Sequence, residues 1–187
     1  VQDGDASHAR PGIAPASILV FSDDWGRHPS SCQHLTGRLL DRYPVTWVNT
    51  IGMRTPKLDW ATVSRAFEKF RQWRSRVSGV DESVAFDESV RPDENLTIAN
   101  PKMWPWFTKS FDRKLNRALL TKQLTKVVRS MPQPVTAVTT IPITADLVGT
   151  LPVAKWVYYC VDDFGEWPGL DGKTMADMDE DMIAGAD

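Results

Sequence analysis

Cysteine is scarce: Cys32 and Cys160 are the two in 187 residues, far apart in the chain and without metal-ligand spacing. That excludes a disulfide framework and a zinc-finger pattern, and leaves two reduced thiols, Cys160 expected inside a strand. Histidine is equally sparse; His28 and His34 flank Cys32, but without a further His or Cys and without metal-ligand spacing no metal site is expected. No apolar run approaches the roughly 20 residues needed to cross a bilayer. The opening residues show no basic-then-apolar leader pattern, and a cytoplasmic chain, free or held at the inner face of the membrane, is the expectation. With a net charge of -2, nothing pulls the whole molecule toward nucleic acid.

Several catalytic fingerprints are missing too. After the first apolar run Gly26 stands alone where a dinucleotide fingerprint needs three glycines, and neither a P-loop nor a G-x-S-x-G elbow occurs. "VFSDD" resembles the acidic pair of a phosphoacceptor receiver. A receiver also needs Asp after the third strand and Lys after the fifth, where this chain has "IANP" and "CVDD".

What is present is a rhythm. Residues 1–17, polar and rich in Gly, Pro and Ala, are expected to be a flexible N-terminal tail, with one domain over 18–187. Apolar runs at 18–22, 45–50, 96–101, 134–140 and 154–163 read as buried strands. Helical spacing occupies 30–42, 61–76, 108–129 and 143–151, with a last helix starting near Thr174 and an acidic loop at 77–94. Ser30 and Gln33 fit a capping box at the head of the first helix. Continuous apolar strands alternating with helices predict a doubly wound, Rossmann-like α/β domain with a parallel sheet in three α/β/α layers. The last unit looks incomplete, so a longer natural protein is expected.

Charge is segregated. Residues 102–129 carry eight Lys/Arg against Asp112, and 162–187 carry nine acidic residues against Lys173. Two readings stand: solvated faces that pair with each other, or a basic face turned to an anionic membrane or another phosphate-rich partner.

In such a sheet, ligands bind beyond the carboxyl ends of the strands. The residues just past the apolar runs include Ser22, Asp23, Asp24, Trp25, Arg27, Asn49, Asn100, Trp104, Thr140, Asp162, Asp163 and Trp167. Hydroxyls, amides and carboxylates there suit polyols, and indole faces suit sugar C–H groups. The plainer reading gives Asp23, Asp24 and Ser30 to turn and helix capping, and Trp25, Trp104 and Trp106 to packing. Asp162 and Asp163 are the candidate acid–base pair.

Two stretches then carry a family likeness. "RHPSSCQHLTGRLLDRYPVTWVNTIGMRTPKL" resembles the opening of GT-B glycosyltransferases of family 4, the teichuronic-acid-type group, and "WVYYCVDDFGEWPG" resembles their fifth strand. The resemblance implies one of the two domains of a GT-B enzyme: the N-terminal half, binding a carbohydrate acceptor, with the nucleotide-sugar held by a missing C-terminal domain and no cofactor on this half. It departs from the family at His28, beside Pro29, and at Cys160–Asp163, where many relatives carry a His. On that reading Asp24, Trp25, Arg27, Ser31, Gln33, His34, Thr140 and Trp167 form the acceptor side, next to catalytic Asp162 and Asp163. The competing expectation is a non-catalytic carbohydrate- or protein-binding module of the same fold.

Overall fold

The computed structural model describes residues 16–49, 85–86 and 94–187. The expected helix at 61–76, most of the acidic loop and nearly all of the tail lie outside these residues. Five strands run parallel: β1 (Ser17–Ser22), β2 (Val45–Asn49), β4 (Leu96–Asn100), β5 (Val135–Thr139) and β6 (Lys155–Tyr158). A two-residue strand β3 (Ala85–Phe86), placed where the sequence suggests only loop, pairs antiparallel with β4. The sheet order is β3-β4-β2-β1-β5-β6, so the chain steps outward from β1 on one side, then returns to build the other. This is the expected α/β, Rossmann-like arrangement, with its topological switch point between β1 and β5.

Alternation along β1 divides the core. Ile18 and Val20 point to one face with Val45, Trp47, Leu96 and Ile98, beneath helix α1 (Ser31–Leu39) through Cys32 and Leu40. Leu19 and Phe21 point to the other face with Val48 and Ala99. That face is covered by α2 (Ser110–Ser130), a 3-10 turn (Pro142–Leu147) and α3 (Gly172–Gly185). From α2 come Leu120, Leu124, Val127 and Val128; from α3 come Met175, Met178 and Met182, each at most 1% exposed. Each such side chain contributes about 1.5–3 kcal/mol of apolar burial.

Boundaries shift for local reasons. The first strand begins at Ser17, whose hydroxyl donates to the Pro132 carbonyl at 2.6 Å, and is buried rather than part of a tail. The stretch expected to be helical at 143–151 is a 3-10 turn opened by Pro142. The apolar run 154–163 is strand only to Tyr158, since β5 ends at Thr139 and offers no further partner. Cys160 therefore sits exposed in the following loop rather than packed in a strand, while Cys32 is buried; both are free thiols. No described helix is long and apolar enough to cross a membrane.

Candidate functional site at the carboxyl edge of the sheet

The parallel topology brings the segments after β1, β2, β4, β5 and β6 to one edge, and side-chain bonds tie four of those ends together. Asn49, closing β2, accepts from the Trp25 backbone N–H at 3.0 Å and donates to Asn100 Oδ1, closing β4, at 2.9 Å. Across the switch point, the hydroxyls of Ser22 and Thr140 lie 2.9 Å apart and buried. Ser22 Oγ donates to Asp23 Oδ1 at 3.1 Å, so the Thr140 hydroxyl is the donor to Ser22. Thr139 and Thr144 close a second hydroxyl pair at 2.9 Å around the Ile141 backbone. Buried hydroxyls with their bonds made hold the edge rigid.

The loop from β1 to α1 is built on the same economy. Asp24 and Arg27 form an exposed ion pair at 3.2 Å. Gly26 takes φ +75, the left-handed region open to glycine at low cost. Ser30 caps α1, its hydroxyl accepting from Gln33 N at 3.2 Å. The reciprocal half of the expected capping box is absent: the Gln33 amide turns back to the loop, Oε1 accepting from Gly26 N at 3.1 Å and Nε2 donating to the His28 carbonyl at 2.8 Å. Gln33 is thus a brace whose polar ends are both engaged. In a Gln33→Ala variant the Gly26 amide should exchange with solvent about tenfold faster, since one brace closes that opening; unchanged exchange would refute the brace.

Trp25 is half-buried and meets Trp47 edge-on, centroids 4.8 Å apart, while the Trp47 indole N–H donates to the Asp23 carbonyl at 2.9 Å. Ser31 and His34 lie exposed on the first turn of α1. Past β6, Asp162 and Asp163 are both exposed. The Asp163 carboxylate accepts from Gly165 N at 3.1 Å, capping a short 3-10 turn (Phe164–Glu166), a structural bond where the sequence suggests half of an acid–base pair. Trp167 leans on Phe164 at 5.3 Å. Tyr159 and Trp25 pack on the same apolar cluster. No side-chain bond among described residues joins Asp162, Asp163 or Trp167 to the β1–α1 loop.

Two groups here titrate away from their ordinary values. Burial pushes the Cys32 thiol up, against hydrogen bonds to Ser22 and Thr36 that pull it down, and the Asp23 charge adds to the rise. Burial, then the bond to Asp179, pushes the Tyr158 hydroxyl well up and keeps it neutral. Among the described residues no three His, Cys, Asp or Glu side chains gather as metal ligands. A cleft of about 220 Å³ lies at the opposite, amino edge, between Pro44, Asn95 and Met131, away from these groups.

The residues that tie the edge together, Asn49, Asn100, Ser22 and Trp47, carry a weak sequence signal: a polar residue closing or interrupting an apolar run. Comparisons with protein-family models, with curated proteins and with solved structures return no match.

Proposed function

We propose that this chain is the acceptor-binding half of a glycosyltransferase, moving a hexose from a nucleotide-sugar to a cell-surface or polysaccharide precursor. The observation that carries the reading is the bonded carboxyl edge: Trp25–Asn49–Asn100 and Ser22–Thr140 fix four strand ends around the switch point. In this reading Trp25 offers a half-exposed indole face to sugar C–H groups, and Asp24, Arg27, Ser31 and His34 offer polar contacts around it. Thr140 and Gln33 act from behind, as positioning residues, because their polar atoms are engaged within the protein. Asp162 is the better acid–base candidate of the pair, since the Asp163 carboxylate is occupied by Gly165 N. Trp167 would border the acceptor from the β6 side. The donor nucleotide would be held by a second domain, as the sequence likeness implies.

The occupied Asp163 also favours the second reading, a carbohydrate- or protein-binding module without chemistry. Titration followed by amide NMR tests the assignment. Hexose oligosaccharides should shift residues 23–34 with a dissociation constant of about 1 mM, and a nucleotide-sugar should not saturate the same chain. Saturation by the nucleotide-sugar at micromolar concentration would overturn the division between the two domains.

A further inference from the structure

The basic segment 102–129 does not behave as one face. Over its second half α2 buries Leu120, Leu124, Val127 and Val128, as an apolar stripe should. Over its first half the pattern inverts: Asp112 and Asn116 are buried, and Phe111 stands 70% exposed. The inward polar groups have a definite task. Asn116 Oδ1 accepts from Trp104 N at 2.7 Å and its Nδ2 donates to the Trp106 carbonyl at 2.8 Å. Asp112 accepts from the Trp104 indole at 3.0 Å, and Gln123 brackets the Lys102 backbone with two bonds of 2.8 Å.

The result is a stiff aromatic knob. Trp104 and Trp106, half-buried, lean on each other at 4.8 Å, and Phe111, exposed, precedes the Asp112 that accepts from the Trp104 indole. Lys109, Lys114 and Arg117 are exposed on the same segment, Lys114 three residues on from Phe111 along the helix. The single acid of the segment, Asp112, is buried and engaged. Arg113 is engaged by Asp146 and Asp181, which marks where the acidic helix α3 begins to border the patch.

Aromatics held at a surface on a basic segment match the interfacial zone of an anionic bilayer: rings enter the acyl boundary while ammonium and guanidinium groups meet headgroup phosphates. We propose that the loop 102–108 and the first turns of α2 dock this domain on an anionic membrane, with Phe111 inserted and Lys109, Lys114 and Arg117 on the headgroups. The pre-bonded loop removes most of the ordering cost that a flexible loop would carry. This surface is separate from the sugar-acceptor assignment and stands or falls without it.

Co-sedimentation of the 187-residue chain with vesicles is the test. At low salt, phosphatidylcholine vesicles containing phosphatidylglycerol should retain the protein and pure phosphatidylcholine vesicles should not. Phe111→Ser should lower the partition coefficient about tenfold, and Lys114→Glu with Arg117→Glu by about tenfold or more. Phe111→Ser should leave the circular dichroism spectrum unchanged, because the ring is mostly exposed. No retention on anionic vesicles, or retention untouched by both variants, overturns the proposal. So does release by inorganic phosphate at matched ionic strength, which makes the patch an anion site. A dimer in light scattering that Phe111→Ser dissociates makes it a contact between copies instead, and also overturns it.

Discussion

Replacing Trp47 with alanine is expected to lower the unfolding free energy by about 3–5 kcal/mol, the range for emptying a buried aromatic site. At this chain length that corresponds to a fall in Tm of roughly 6–20 °C. Trp47 is fully buried on β2, so its loss leaves a cavity against α1, and it also frees two groups at the carboxyl edge. The Asp23 carbonyl loses its donor, and Trp25 loses the ring it leans on. Stability and the order of the β1–α1 loop should therefore fall together. Trp47→Phe separates the two effects: the volume is largely kept, the hydrogen bond is not, and about 1–3 kcal/mol should be lost. Denaturant unfolding reads both variants, and a loss below about 1 kcal/mol for Trp47→Ala would mean that the edge is not built on this indole.

Trp47 also shows what the sequence could and could not tell. "VTWVN" reads correctly as a buried parallel strand, because a continuous apolar run has no solvent face to alternate with. The same logic finds β1, β4 and β5, and the N-cap at Ser30 is legible as a hydroxyl before a helical run. Strand length is not legible where the limit lies in the partner. "KWVYYCVDD" is apolar almost to its end, yet the ladder stops at Tyr158 because β5 stops at Thr139. Cys160 lies beyond that end, exposed in the loop.

The candidate site was legible as a location and less so as a set of roles. Parallel topology determines which edge gathers the polar ends, so Trp25, Gln33 and Asp162 share an edge. Roles depend on which atoms are already taken. Gln33 reads as a capping-box partner or a ligand contact; the two bonds to Gly26 and His28 make it a brace. Asp163 reads as half of a catalytic pair; the bond from Gly165 makes it a cap. Asn116 and Asp112 interrupt the helical apolar spacing, and a period-based reading discards them. They are buried because the loop 102–108 has backbone and indole groups that need partners. Gly172 is similar: a Cβ there would lie 2.4 Å from the Gly165 carbonyl oxygen, a close approach of α3 to the preceding turn that local sequence does not reveal.

Arg113 is where the opposed charges of the two segments meet, and its replacement is the other large effect expected. Its guanidinium makes two bonds to Asp146, at 2.9 and 2.8 Å, and a third to Asp181 at 3.1 Å, joining α2, the 3-10 turn and α3. These bonds hold the Arg113 group charged well past its ordinary range, hydrogen bonding to Asp146 outweighing partial burial. Arg113 and Asp146 are 25% and 23% exposed, so water screens them only in part, whereas Asp181 is 59% exposed. Arg113→Met should cost about 1–3 kcal/mol, mostly by leaving Asp146 half-buried without a partner. Asp181→Asn should change stability by no more than about 0.5 kcal/mol, as for an exposed pair. Arg113→Met with Asp146→Asn should cost less than the two single changes added together, by about 0.5–3 kcal/mol in a double-mutant cycle. Strict additivity would mean that the Arg113–Asp146 pair does not couple α2 to the 3-10 turn, and that apolar packing alone holds these two elements together.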